Sequence, residues 1–344
     1  MNFWQKLPKP FFVLAPLADV TDAAFRRIIA KYGKPDAMWT EFVSADGLAF
    51  APPEGRKKLL ADLIYGEAER PIVAQFFSGN PETMEKAAAL AVALGFDGVD
   101  INMGCPDKSI EKQKAGAAMI REPKRAQEVI KAAIRGAEGA IPVSVKTRLG
   151  YNRDELDTWL PALLETDAVA ITIHLRTRKE MSKVPARWER MRDAVAIRDR
   201  LNPGVLMVGN GDVESVAHGR ELCKETGADG AMLGRAIFGN PWLFSNSREL
   251  ENSPVAMKGE GEGRWFERLN SGKTPPERLE VLLEHTKLFA ELLSHKSFAI
   301  MKKHYKAYVK DFEGAAELRG ELMNAPDAEA VEVLVGNFLI SSPT

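Results

Sequence analysis

Eight short β-type runs, each followed by an amphipathic helical stretch, reach from the N-terminus to about residue 244 and predict an α/β protein, a TIM (β/α)8 barrel. Two further observations set its extent. A stretch rich in glycine, proline, serine and charge follows at 246–276, and helical patterns alone dominate after it. The chain therefore divides into a barrel at 1–245, a linker at 246–276 and a small all-helical C-terminal domain at 277–344. An open doubly wound sheet is the competing architecture. Its first strand would open onto a GxGxxG turn, whereas VLAPLADV stands at 13–20.

The runs lie at 12–15, 37–41, 72–76, 98–102, 142–147, 168–174, 205–209 and 230–234. Between them the helices carry readable ends. Asn80 followed by Pro81 is an N-cap with proline at the first helical position, opening 82–94, and Gly95 closes it. Glu122 and Pro123 open a helix to about Arg135, and Asp212 caps 213–226 before Gly227. Behind the linker, helices are expected at 277–293, 296–309, 315–323 and 327–338. GEGEGR at 259–264 has no strand before it and no lysine opening a helix after it, so it does not read as a phosphate loop.

With 344 residues, 45% apolar and 28% charged, the composition is that of a soluble globular protein. A net charge of -1 excludes a globally basic nucleic-acid binder and leaves local basic patches open. Cys105 and Cys223 have no paired spacing, which argues against a disulfide framework or a thiolate metal site, so no metal is expected. MNFWQKLPKPFFVLAPL is not a signal peptide, and no apolar run is long enough to span a bilayer. The reading is a cytoplasmic protein without membrane attachment, working as a monomer.

The organising stretch is DGVDINMGCPDKSIEKQKAGAAMI at 97–120. Pro106 biases Cys105 toward extended backbone, so the strand ends there and the thiol sits at the mouth of a loop. Cysteine in such a place is either a small buried hydrophobe or a reactive thiol. The other strand ends are polar as well: Glu41, Gln75, Asn102, Lys146 and Arg148, His174, Asn210 and Asp212, and Arg235. Singly, each could be a solvated strand end. At the carboxyl rim of one barrel they describe a polar pocket. VGNGDV and LGRAIFGNP follow the last two runs, where barrels commonly hold a phosphate on backbone N–H groups. There Gly211 and Gly234 permit close approach and Arg235 can add a fork of donors. Arg176, Arg178 and Lys179 after His174 form either a solvated loop or a contact for an anionic polymer.

These residues fall into motifs that resemble one family. LAPLADVTDAAFR at 14–26, QFFSGNP at 75–81, DINMGCPDK at 100–108, VSVKTRLGY at 143–151, HLRTR at 174–178, GNGD at 209–212 and GADGAMLGRAIFGNPWLF at 227–244 resemble the tRNA-dihydrouridine synthases, in particular their bacterial branch. The resemblance implies a flavoenzyme with FMN at the barrel mouth, reduced by NADPH, passing hydride to uridine in tRNA. Carried over by residue, Pro16, Leu17 and Ala18 would lie along the flavin and Gln75 would hydrogen-bond its ring system. Lys146 would place positive charge at the pyrimidine edge, and Asn210, Gly211, Asp212, Gly234 and Arg235 would hold the phosphate end. His174 would contact flavin or uracil, and Cys105 would be the general acid that protonates C5. Asn102 and Arg148 are expected to meet the substrate.

The chain departs from the family pattern at Asp19, Leu175, Gln113 and Lys114, and at ARW in 186–188. For the RNA itself, KSFAIMKKHYKAYVK at 296–310 carries five lysines and His304 without an acid. It reads either as an amphipathic helix with a solvated face or as a phosphate contact through Lys302, Lys303 and Lys306, helped by Arg176, Arg178, Lys179, Lys183 and Arg187 at the rim. Two other functions stay open on the residues alone: a flavin barrel acting on a small molecule, and an RNA-binding protein without redox chemistry.

Overall fold

The computed structural model describes residues 2–245 and 273–341, so the stretch expected as a linker lies outside the described residues except for its last four. Eight parallel strands run in chain order: β1 (Phe11–Leu14), β2 (Met38–Ser44), β3 (Ile72–Phe77), β4 (Gly98–Asn102), β5 (Val143–Gly150), β6 (Ala170–Thr177), β7 (Leu206–Asn210) and β8 (Gly230–Leu233). Each pairs with its sequence neighbour from β2 to β8, and β8 pairs with β1. The last seam closes through a parallel bridge between Val13 and Ala37 and a hydrogen bond from the Leu14 N–H to the Ala37 carbonyl. This is the expected TIM barrel.

Alternation along the strands sorts the side chains. Phe11, Val13, Trp39, Val73, Ala170, Val208 and Met232 fill the barrel interior with Trp4 beneath them. Phe12, Leu14, Ile72, Ala74, Val143 and Ile171 face outward into a second core, shared with the surrounding helices. Those helices are α1 (Ala23–Tyr32), α2 (Ala45–Phe50), α3 (Pro53–Ala61), α4 (Pro81–Ala93), α5 (Lys108–Lys112), α6 (Pro123–Ala137), α7 (Leu156–Leu164), α8 (Glu189–Leu201) and α9 (Val216–Thr226). Asn80 caps α4 as expected, accepting from the Glu82 N–H at 3.0 Å. Asp212 does not cap α9. Ser215 does, accepting from the His218 N–H, and Gly227 at φ 75° closes the helix. The Asp212 carboxylate is instead drawn toward two arginines.

The C-terminal region comprises α10 (Pro275–Leu292), α11 (Met301–Tyr308), α12 (Ala315–Leu322) and α13 (Ala328–Ser341). Thr274 and Glu277 form a capping box that starts α10 two residues before the expected domain edge. The helix expected over 296–309 is broken: a 3-10 turn at Phe298–Ile300 precedes α11. These helices pack on α1 through a continuous apolar core. At its centre Phe25 stacks on His285 with ring centroids 4.8 Å apart, and His285 meets His304 edge-on at 4.5 Å. Burial holds both imidazoles neutral, driving His304 down to about 3. His304 therefore does not join a basic face. Nor does Lys296, which is buried against barrel carboxylates. Lys302, Lys303 and Lys306 remain at the surface, Lys302 partly covered.

Candidate active site

The carboxyl ends of the strands open into a cavity of about 280 Å³, lined by Ala15 to Ala18, Phe42, Asn102, Gly104 to Pro106, Lys146, Arg148, His174, Arg176, Ser182, Asn210 to Val213, Gly234 and Arg235. Residues expected from motifs far apart in the sequence thus share one space, with Cys105 half-buried at its wall.

The Cys105 loop is held from below by a chain of side-chain hydrogen bonds. Ser144 Oγ donates to one Asp100 oxygen at 2.6 Å and Gln75 Nε2 donates to the other at 2.6 Å. Gln75 Oε1 accepts from Asn102 Nδ2 at 3.1 Å, and Asn102 Oδ1 accepts from the backbone N–H groups of Gly104 and Cys105 at 3.1 and 2.9 Å. Asp100 is fully enclosed, and burial lifts its carboxyl to about 6 despite the donors from Ser144 and Gln75. From the other side Arg148 Nε donates to the Gly104 carbonyl at 2.7 Å, and its Nη1 to the carbonyls of Thr177 and Met181. Gly104 rests against the Thr147 backbone, where an added Cβ would meet it at 3.3 Å. The loop is fixed before any ligand arrives.

Burial raises the Cys105 thiol above its ordinary range, ahead of the opposing pull of the Asp107 N–H, so the sulfur keeps its proton at neutral pH. Lys146 lies deep in the same wall with Nζ 3.2 Å from Asn210 Oδ1. Burial, followed by the charge of Arg148, pushes its ammonium down to about 8. At pH 7 the charged form still outnumbers the neutral one by about ten to one. His174 is held neutral, first by burial and then by the cations around it. Arg176 Nη1 lies 3.0 Å from His174 Nε2. Guanidinium only donates, so Nε2 accepts and the ring proton resides on Nδ1.

At the opposite end Asp212 joins Arg176 and Arg235 and also accepts from the Ala186 N–H at 2.9 Å. Partial burial works against its charge, but these donors hold the carboxyl below its usual range. Two guanidinium groups against one carboxylate leave this end net positive. Gly211 stands at φ 122°, and a Cβ there would come within 2.8 Å of Ala186. The turn therefore presents bare backbone to the cavity.

Several expected residues sit differently. Gln75 is fully buried beneath the lining and reaches the cavity only through Asn102. Strands β5 and β6 run beyond the expected ends at 147 and 174, which carries Arg148 and Arg176 inside the barrel. Arg176 has only 3% of its side chain exposed and bonds Val184 and Asp212, so it is no surface cation. Arg178 pairs with Glu111 and lies over Tyr151, while Arg187 pairs with Glu180. Lys179 and Lys183 are exposed at the rim. Phe42, Ser182 and Val213 line the cavity without having been expected there. Alternation from the inward-facing Trp39 hides Phe42, which faces the cavity only because the β2–β3 register shifts between Trp39 and Phe42, and Ser182 belongs to a loop without a motif.

The family model of the dihydrouridine synthases matches residues 13–339. The chain belongs to the dihydrouridine synthase family. It is 37% identical over 340 residues to "Probable tRNA-dihydrouridine synthase 2" of Bacillus subtilis strain 168, covering 98% of this chain and 96% of that one. A "Probable tRNA-dihydrouridine synthase" of Staphylococcus aureus strain COL gives 37% over 340 residues, with coverages of 98% and 95%. The one from Staphylococcus epidermidis strain RP62A gives 39% over 337 residues, with 97% and 95%. Among solved structures, histamine dehydrogenase from Rhizobium sp. 4-9 superposes with a TM-score of 0.51 at 12% identity, over 80% of this chain and 48% of that one, a likeness of fold. Among the described residues no helix is long and apolar enough to cross a membrane, and no cluster of three or more His, Cys, Asp or Glu side chains is placed to hold a metal.

Proposed function

We propose that this member of the family is a tRNA-dihydrouridine synthase that reduces the C5–C6 double bond of a uridine in tRNA, using FMN reduced by NADPH. The observation that carries the reading is a single cavity whose lining joins Cys105 to the partly buried Lys146 and to His174, where burial favours a protonated thiol and a neutral imidazole.

The residues present fit a flavin mononucleotide. Pro16, Leu17 and Ala18 offer an apolar wall, and Lys146 offers the partly buried cation an electron-rich ring requires. The bare Gly211 turn, the Gly234 backbone and Arg235 offer a net positive end for a phosphate, with Asp212 aligning its two arginines rather than meeting the anion. When bound, the reduced flavin supplies hydride to C6 of the uracil. Hydride at C6 leaves negative charge spread over C5 and O4 of the base. Cys105 hands its proton to C5, a task suited to a thiol that burial keeps protonated. Lys146 and the Nδ1 proton of His174 are the donors available to that developing charge. Asn102 and Arg148 hold the loop that carries the sulfur.

A uridine reaches such a cavity only after leaving its stack, at a cost of a few kcal/mol. Phosphate contacts from exposed Lys303, Lys306, Lys179 and Lys183, and from the partly covered Lys302, offset it. In this reading the barrel at 1–245 holds the cofactor and the helices at 277–344 bind tRNA, the protein acting as a cytoplasmic monomer. The test is incubation with FMN, NADPH and unmodified tRNA transcript or free uridine. Dihydrouridine in the tRNA alone is expected. Product from free uridine at an equal rate indicates a small-molecule enzyme, and a protein that binds tRNA but takes up no FMN indicates a binding protein; either overturns the proposal.

A further inference from the structure

One lysine from the C-terminal region reaches carboxylates of the barrel. Lys296 lies in the turn after α10, its N–H bonded to the Leu293 carbonyl, with 11% of its side chain exposed. Its ammonium lies 2.6 Å from Glu41 Oε2 on β2, 3.3 Å from Asp62 Oδ1 beyond α3, and 3.8 Å from Asp19 Oδ1 in the loop after β1. His295 Nε2 reaches the same Asp62 oxygen at 3.0 Å. Asp22, enclosed at the start of α1, also faces Glu41 and Lys296. One cation thus answers three carboxylates, with the Asp22 carboxyl beside them, drawn from separate parts of the barrel.

The other oxygen of Glu41 shows what this arrangement holds. Glu41 Oε1 accepts from the Asp19 N–H at 2.5 Å. Asp19 stands at φ 53°, in the left-handed region where a side chain is disfavoured, and it terminates the wall segment Pro16 to Ala18. The rest of that turn is internally bonded, Leu17 to Thr21 in both directions. Glu41 is the side chain that ties Asp19 to the neighbouring strand. Without the ammonium, Glu41 would be a buried carboxylate facing Asp19, Asp22 and Asp62. It would then turn toward water, which weakens its hold on the Asp19 N–H.

We propose that Lys296 is a positioning residue of the active site, acting through Glu41 to fix the β1 loop that forms one wall of the cavity. The helical region thereby does more than offer a surface for RNA, because a residue five positions before α11 sets the shape of the cofactor wall. This inference rests on the flavin reading for what the wall holds, but not for the coupling itself.

Hydrogen exchange across residues 15–22, in the full chain without FMN, tests the coupling directly. In Lys296→Met the Asp19 amide is expected to exchange at least tenfold faster, with α10 unchanged, and Lys296→Arg to restore protection. FMN binding, followed by flavin fluorescence, is expected to weaken about tenfold in Lys296→Met and to return in Lys296→Arg. Should Lys296→Met fail to fold, Glu41→Leu/Lys296→Met removes the Glu41 charge together with its cation and takes away the acceptor for the Asp19 N–H, and the same acceleration is expected. Exchange at Asp19 equal to that of the parent protein in a folded variant overturns the proposal. A parent protein that takes up no FMN would overturn the flavin reading and leave the exchange result to decide this one.

Discussion

Lys146 gives the sharpest quantitative expectation. Burial and the nearby Arg148 bring its ammonium from the ordinary 10.5 down to about 8, so the enclosed cavity disfavours the charge by about 3 kcal/mol. An anionic group bound beside it that returns the lysine to its ordinary value recovers that amount, about 300-fold in affinity. The sign follows from linkage. Binding favours the protonated lysine, so FMN affinity is full below pH 8 and falls tenfold per unit above it, until the pKa of the complex is reached. At pH 9.5 binding should be about 30-fold weaker than at pH 7. The neighbours leave that window nearly clear: His174 stays neutral throughout, Arg148 is pushed down only to about 10, and the Cys105 thiol lies above its usual range. Titration of the apoprotein with FMN, read by flavin fluorescence from pH 7 to 9.5, measures the slope. Lys146→Met should bind up to about 300-fold more weakly at pH 7 and show no slope. Flat binding in the parent protein, or an undiminished slope in the variant, refutes the assignment of Lys146 to an anionic ligand.

Two more perturbations probe the fold and the surface. Asp22 caps α1 through the Phe25 N–H, yet burial raises its carboxyl to about 7, so the folded protein keeps a proton that the unfolded chain loses near 3.8. Its contribution to stability should therefore decline by about 3 kcal/mol as pH rises from 4 to 7, and Asp22→Asn, which retains the cap, should make the decline smaller by that amount in urea denaturation across this range. Neutralising Lys302, Lys303 and Lys306 together should lower the slope of log K against log salt for tRNA by about 2 to 3, and an unchanged slope in filter binding would remove α11 from the RNA contact.

How legible all this was in the sequence depended on the scale of the interactions. Strand and helix positions follow local alternation and caps such as Asn80, which nearest neighbours decide. The cavity residues of the motifs were legible because a lysine or histidine at the end of an apolar strand, as at Lys146 and His174, is costly to bury unless a polar cavity receives it. What stayed hidden were the partners. Asp212 looked like a helix cap until two distant arginines drew its carboxylate away from the local N–H groups. Arg176 looked like a rim cation because the end of β6 was placed at 174, and three further strand residues turn it inward. Lys296 and His304 looked like parts of one basic face, since nothing local announces that a turn breaks the helix and buries both against the barrel. Gln75, too, reads as a ligand donor until its neighbours Asp100 and Asn102 take up its amide.

The central claim concerns the proton on Cys105. In a single turnover, FMN on the Cys105→Ala variant is reduced anaerobically, the excess NADPH is removed, and tRNA transcript is added while flavin reoxidation and dihydrouridine are followed. The variant should bind FMN and accept electrons from NADPH as the parent protein does, and form dihydrouridine at least a hundredfold more slowly. Dihydrouridine formed at the parent rate would contradict the role given to Cys105.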